Sequence, residues 1–269
     1  MKLPIYQIDA FTSRVFGGNP AAVVMLDEWL DETTMQAIAA ENNLAETAFV
    51  IPGFESSRLR WFTPALEVDL CGHATLATAH VLFEGIFEDR THVRFETKSG
   101  TLAVSRRDGL LWLDFPSRPG EPAVVTEELV EALGVTPVEA LRSRDLMVVL
   151  ESEDAVRGFT PDLAAIERLD TFAVIVTAPG HEVDFVSRFF APRAGIPEDP
   201  VTGSAHCTLI PYWAGRMGKA TLSARQLSLR GGELTCELRG DRVLIGGQTA
   251  EYLRGEIRVA AVHAHNRDA

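Results

Sequence analysis

Cysteine is scarce in this chain, and basic charge is outweighed by acidic charge. Only Cys71, Cys207 and Cys236 stand in 269 residues, an odd number in a chain too long to need disulfide staples. The expectation is reduced thiols in a cytoplasmic protein. Paired zinc spacing is missing too, since Cys71 and His73 have no second close pair and Cys207 and Cys236 lie far apart. Lysine and arginine number 25 against 38 acidic residues, a formal net charge of -13. That balance repels a phosphate backbone, and no local basic patch offsets it. The opening MKLPIYQIDAF meets Pro4 and Asp9 before any apolar run of signal-peptide length, and no stretch is long enough to span a bilayer. Nucleic acid and membrane are therefore set aside as partners. Gly17 and Gly18 do not complete a dinucleotide-binding G-x-G-x-x-G, because Pro20 leads into AAVVML, which reads as strand rather than helix. Ser204 sits in TGSAH and lacks the glycine spacing of a hydrolase nucleophile elbow. No cofactor and no metal are expected from what is left.

What is present is a repeat. The length suits two domains, and a hydrophobic fraction of 46% is ample for buried cores. In the first half, Phe62 and Pro64 lead through a polar loop to Gly72, then HATLATAHVLFEGI reads as a helix and RFETKSGTLAV as a strand. In the second, Phe190 and Pro192 lead to Gly203, SAHCTLIPYWAGRM takes the helical place, and QLSLRGGELTCEL takes the strand. A turn signal and a further apolar strand follow each, Asp108 and Gly109 before LLWLDF, Gly240 and Asp241 before RVLIGG. Both helices are apolar nearly all round, so they belong inside. The expected fold is α+β: two pseudo-symmetric domains, each a curved, mostly antiparallel, barrel-like sheet wrapped around one buried helix. Outer helices are expected at DETTMQAIAAEN, at TEELVEAL, and at TPDLAAIERL, the last with Thr160 as cap and Pro161 in its first turn.

Each buried helix begins at a glycine, where free backbone N–H groups and the positive end of the helix dipole favour a carboxylate or a developing enolate. Two such tips facing one another, Gly72 and His73 against Gly203 and Ser204, would hold an anion without a metal. Taken singly, each glycine reads as a loop terminator; the repetition is what points to a site.

Five segments, YQIDAFTSRVFGGNPAAVV, NLAETAFV, WFTPALEVDLCGHATLATAHVL, EDPVTGSAHCTLIPYW and GGQTAEYLRGEI, resemble the PhzF-like family of phenazine biosynthesis, in order and across nearly the whole chain. The resemblance implies the diaminopimelate epimerase-like fold. It also implies a cofactor-independent isomerase, a homodimer, that moves a proton between carbons of a small carboxylate-bearing substrate. Carried over residue by residue, the general acid/base is Glu46, with His73 and Asp199 beside it. Substrate contacts fall to Asn19, Gly72, His73, Gly203 and Ser204. One departure is Ala45, where the phenazine enzyme has a serine. A carboxyl suits the task because it can take a proton from one carbon and return it to another, and burial brings such a group's pKa nearer to neutral. The halves are expected at 1–117 and 118–269, with a C-terminal strand at 255–269 returning to the first.

Other readings stay open. Without the resemblance, Glu46 reads as a solvated residue or a cap, and His73 as structural. Asp199, just before Pro200, reads as a turn or capping residue. His80 and His206, inside apolar helices, read as satisfied core histidines. Cys71 in CGHA resembles the thiol loop of two-base racemases and epimerases of small amino acids. By the internal match its partner falls near Pro200, which cannot ionise, so Cys71 reads as a small buried apolar residue. The last alternative is a small-molecule-binding or scaffold protein that kept the fold without the chemistry.

Overall fold

A computed structural model describes residues 1–259; residues 260–269, most of the expected returning strand at 255–269, lie outside the described residues. Several strands read as unbroken apolar runs because both of their faces are covered. In Asn19–Met25, Ala21 and Val23 point to the central core, whereas Ala22 and Val24 point outward beneath the helix Glu32–Asn42. Ala48 and Val50 face inward and Phe49 and Ile51 outward along Glu46–Ile51. The second half repeats this in Val174–Pro179, where Ile175 faces inward and Val174, Val176 and Ala178 face a second outer layer. Full burial of a large aliphatic or aromatic side chain is worth ~1.5–3 kcal/mol relative to exposure, so one strand secures two layers at once.

The two sheets are curved and mostly antiparallel, and each is wrapped around a central helix. The first runs Thr249–Arg258, Lys2–Ala10, Asn19–Met25, Glu46–Ile51, Ser57–Phe62, His92–Thr97, Gly100–Arg107, Leu110–Pro116. The second runs Arg242–Gly247, Gly232–Arg239, Thr221–Gln226, Phe185–Phe190, Val174–Pro179, Leu146–Val149, Glu139–Arg142, Glu121–Ala123. Parallel pairs fall at matching places in the two: 19–25 with 46–51 and 57–62 with 92–97, then 146–149 with 174–179 and 185–190 with 221–226. The sheets join where Leu110–Pro116 pairs antiparallel with Arg242–Gly247, Leu113 opposite Ile245. Equivalent strands paired in this self-complementary way are what a pseudo-twofold axis requires. The expected α+β architecture is therefore the observed one.

Two local expectations are corrected. RFETKSGTLAV and QLSLRGGELTCEL are not single strands. Each is a hairpin, 92–97 with 100–107 and 221–226 with 232–239, because the Ser99-Gly100 and Gly231-Gly232 signals turn the chain, Gly100 and Gly231 both at positive φ. The helix expected from Thr160 begins instead at Leu163. Asp162 is its cap, accepting from the Ala165 N–H at 3.0 Å, as the stronger capping residue of the two.

The central helices are Gly72–Glu84 and Gly203–Met217. Pro211 lies inside the second and has no N–H for the Cys207 carbonyl one turn back. That orphaned carbonyl accepts instead from the Arg118 N–H at 2.8 Å, so a gap in the helix ladder docks the segment that links the halves. A second link sits beside Asn19. Arg230, from the second half, donates to the Gly17 and Gly18 carbonyls and to the buried Asp9 carboxylate, each at 2.8 Å. Asp9 also accepts from the Phe16 N–H at 2.8 Å.

Candidate active site

Four outer helices have their first turns closed by a side chain, from Asp31, Thr126, Ser152 and Asp162. The two central helices do not: neither Cys71 nor Thr202, their N-cap residues, makes a side-chain cap hydrogen bond. Their tip amides are thus left for another partner. The tips also meet. A Cβ built on Gly72 would lie 3.5 Å from the Gly203 Cα, and one on Gly203 would lie 3.6 Å from the Gly72 Cα, with the Phe115 ring edge beside both. With glycine on each side, the two helix starts face one another backbone to backbone.

Side chains from both halves converge on this junction. Glu46 opens the strand Glu46–Ile51, parallel to Asn19–Met25, and its Oε2 lies 3.0 Å from His73 Nε2. The Asn19 amide, fully buried, places its Nδ2 3.1 Å from His73 Nδ1, 2.8 Å from Asp199 Oδ1 and 2.9 Å from the Val201 carbonyl. One side chain thereby bridges the halves. Thr202 donates its hydroxyl to the other Asp199 oxygen. Ser204, half-buried, is the second residue of its helix. Glu46, His73, Asn19 and Asp199 are therefore in one connected group at the paired tips. Cavities of 740, 340 and 300 Å³ open elsewhere and are not lined by these residues.

The electrostatics follow from burial and from one another. Burial pushes Asp199 up from its ordinary 3.8 to about 6; the Glu46 charge adds to this, while His73 and the hydrogen bonds from Thr202 and Asn19 oppose it. Burial works against a charged imidazole at His73, but Cys71 and Glu46 outweigh it and hold its pKa well above the ordinary value. Burial, and then Glu46, push the Cys71 thiol up to about 11. Near neutral pH the sulfur is therefore a thiol, and Glu46 is the partner that favours imidazolium. The Asn19 amide has two hydrogens, and its shorter contacts, to Asp199 and the Val201 carbonyl at 2.8 and 2.9 Å, take both, so the 3.1 Å contact with His73 Nδ1 does not set the ring's tautomer.

A stability prediction follows. With the folded pKa of Asp199 above its unfolded value, its contribution is fully present below pH 3.8 and lost as pH rises through about 6. Asp199→Asn, which does not titrate, should gain in melting temperature relative to the unsubstituted protein as the buffer is raised from about pH 4 to pH 6.5. Two melting curves that run parallel across that window would contradict the assignment.

Several neighbours escaped the sequence. Cys71 is no bystander: its Sγ lies 3.6 Å from His73 Nδ1. Aligned on the helix starts, its counterpart is Thr202, the other N-cap, and not Pro200; the conclusion that the partner position bears no thiol is unchanged. His206 is only half satisfied, its Nδ1 donating to the Thr202 carbonyl at 2.8 Å while the buried Nε2 has no partner among the described residues. Burial lowers its pKa to about 4. His80 bonds Thr249 Oγ1 at 2.8 Å. Gln226, fully buried behind Asp199 and Thr202, carried no motif that singled it out. Ligand atoms of Glu46, Cys71 and His73 lie within 4.8 Å of one another, a spacing a metal ion can bridge.

Comparison with known proteins places the chain by family and by fold. Residues 8–255 match the family described as phenazine biosynthesis-like protein. A Pseudomonas aeruginosa protein named an uncharacterized isomerase is 56% identical over 261 residues, covering 97% of this chain and 100% of that protein. The crystal structure of a PhzF family phenazine biosynthesis protein from Enterococcus faecalis superposes with a TM-score of 0.94 at 50% identity, covering 96% of this chain and 100% of that one. A hydroxyproline epimerase from Agrobacterium vitis, 11% identical with a TM-score of 0.62 over 95% of this chain and 92% of that one, shares the fold alone.

Proposed function

Since the chain belongs to the phenazine biosynthesis-like, or PhzF, family, we propose that it is a cofactor-independent isomerase that moves a proton between two carbons of a small carboxylic acid. The observation that carries this reading is the convergence of one carboxyl group, Glu46, on two uncapped helix tips in contact. As the carboxylate, with His73 Nε2 at 3.0 Å beside it, Glu46 removes a proton from a carbon conjugated to the substrate's carboxylate or carbonyl. The C–H electron pair passes into the conjugated system as an enolate-like anion. The tip amides of both helices stabilise that charge, because they are preorganised donors in a site that excludes water. Glu46 then returns the proton to a second carbon on the same face, and the double bond has moved. No electrons leave the substrate, so the step needs no redox partner.

A two-thiol racemisation needs a cysteine at each tip, and the position matching Cys71 is Thr202, whose hydroxyl cannot serve as the second thiol; the one-base proton shift from Glu46 fits this better. The test is a panel of small unsaturated acids and amino acids incubated with the protein in heavy water. At least one member is expected to lose a carbon-bound proton signal in NMR and to protect the protein against thermal unfolding. A panel that binds without exchanging any carbon-bound hydrogen would overturn the reading in favour of a binding protein.

A further inference from the structure

Gln226 ends the strand Thr221–Gln226, and its alternating burial turns the side chain inward, where it is fully enclosed. Its Oε1 accepts from the Thr202 N–H at 2.8 Å, and its Nε2 donates to the Asp199 carbonyl at 2.7 Å and to Thr202 Oγ1 at 3.2 Å. This amide has one possible orientation. Reversed, its NH2 would face the Thr202 N–H and its oxygen would face the Asp199 carbonyl, donor to donor and acceptor to acceptor. The fixed amide in turn fixes the Thr202 hydroxyl, because Oγ1 receives a proton from Gln226 and must direct its own elsewhere. It directs it to Asp199 Oδ2.

The matching place in the first half shows that the fold does not require this arrangement. There the corresponding strand, His92–Thr97, ends on Thr97, whose hydroxyl bonds the nearby Gly100 carbonyl at 2.7 Å. The helix start at Cys71–Gly72 forms with no such brace behind it. Among the described residues, the tip that carries Asp199 has one and the other does not. Gln226 also takes up the N–H of the cap residue itself, so the amides left at this tip belong to the helix.

We infer that Gln226 is a positioning residue that acts through Thr202, holding its hydroxyl as a permanent donor to Asp199 and so keeping that side chain ionised and in one orientation at the second helix tip. The inference rests on the proposed isomerase reading only for what the Asp199 carboxylate is used for; the hydrogen-bond relay itself can be read without turnover. Facing Asp199 from the first half are the titratable Glu46 and His73, with Cys71 behind His73, and the uncharged Asn19. From its own half, Thr202 and Gln226 face it, both uncharged. Neither Thr202 nor Gln226 brings a charge of its own, so a change in Asp199 on neutral substitution there reports the relay.

The experiment is a carbon-13 NMR titration of the Asp199 carboxyl in the full chain, labelled in aspartate and assigned with Asp199→Asn. Removing a hydrogen bond that favours the carboxylate raises its midpoint. Thr202→Val should therefore raise the Asp199 midpoint by about one pH unit, and Thr202→Ser, which restores a hydroxyl, should return it to within about 0.3 of the original. Gln226→Met should raise it in the same direction, and the double variant should go no further than Thr202→Val alone. If Gln226→Met does not fold, Gln226→Asn, which draws the amide back by one carbon, takes its place in the cycle. A midpoint unmoved by Thr202→Val, or full additivity in the double variant, would overturn the relay. A panel of acids that fails to exchange in heavy water would instead remove the isomerase reading while leaving the titration intact, so the two failures are distinguishable.

Discussion

Glu46→Gln is expected to slow carbon–hydrogen exchange on whichever panel acid the protein turns over by about 10²–10⁴-fold, the range attributed to a positioned general acid/base. At ~1.4 kcal/mol per tenfold, that is ~3–5 kcal/mol of barrier. The substitution is chosen because it changes so little else. Glutamine has the shape of glutamate, and its amide can still sit beside His73 Nε2, now 3.0 Å from Glu46 Oε2. It cannot take a proton from carbon. The side chain is largely enclosed, 13% exposed, but the amide keeps its volume, so melting temperature should stay within about 2 °C, and thermal protection by the acid should survive. A fall in exchange with binding and stability retained locates the defect in the chemical step. Exchange at the original rate would mean that some other group carries the proton, and the proposed mechanism would be wrong. A variant that changes ligand or partner binding alone, in a protein that never exchanged, would favour the scaffold reading.

How much of this was legible beforehand depends on how local each signal was. Glycine, an apolar helix, and a turn before a second apolar strand are contiguous features, so the repeat and the α+β architecture could be read from 62–116 and 190–247 directly. The pairing of 110–116 with 242–247, which fuses the halves, could not, because nothing in either strand specifies its partner. Glu46, His73 and Asp199 were reached through resemblance rather than through their own sequence context. Each has an ordinary structural reading, and only the fold brings 46, 73 and 199 to one place. Gln226 is the clearest case of a residue hidden from sequence. A polar residue at the end of an alternating strand reads as exposed, and its burial comes from the return of the turn 199–202 across it. The Asp162 cap was missed for a different reason. A threonine followed by proline and a neighbouring aspartate are both good starts, and only the hydrogen bond to Ala165 decides between them.

The largest stability effect is expected at Gly18, and its neighbour Gly17 supplies the control. Gly18 has φ of +60, in the left-handed region, and a Cβ there would lie 2.1 Å from the Ala10 carbonyl oxygen. The first feature costs ~1–2 kcal/mol for any residue with a side chain. The second cannot be relieved by rotating anything, because the obstacle is backbone. Gly18→Ala must therefore move the loop, and the loop is where the Gly18 N–H donates to the Gly231 carbonyl at 2.8 Å and where Arg230 reaches across from the second half. Losing those links leaves the buried Asp9 carboxylate short of its cationic partner. The combined loss should be at least ~3 kcal/mol, which lowers the melting temperature of a chain this size by roughly 6–12 °C. Gly17→Ala has an ordinary φ and meets no backbone atom closer than 3.6 Å; it displaces Thr12 Oγ1, at 2.8 Å, from its two hydrogen bonds with Arg14, and should cost about 1 kcal/mol. Because Asn19 follows Gly18 directly and bridges His73 to Asp199, Gly18→Ala should also depress exchange at temperatures where it is still folded, while Gly17→Ala should not. Equal melting temperatures for the two variants would show that the 11–18 loop does not clasp the halves in the way the Arg230 hydrogen bonds require.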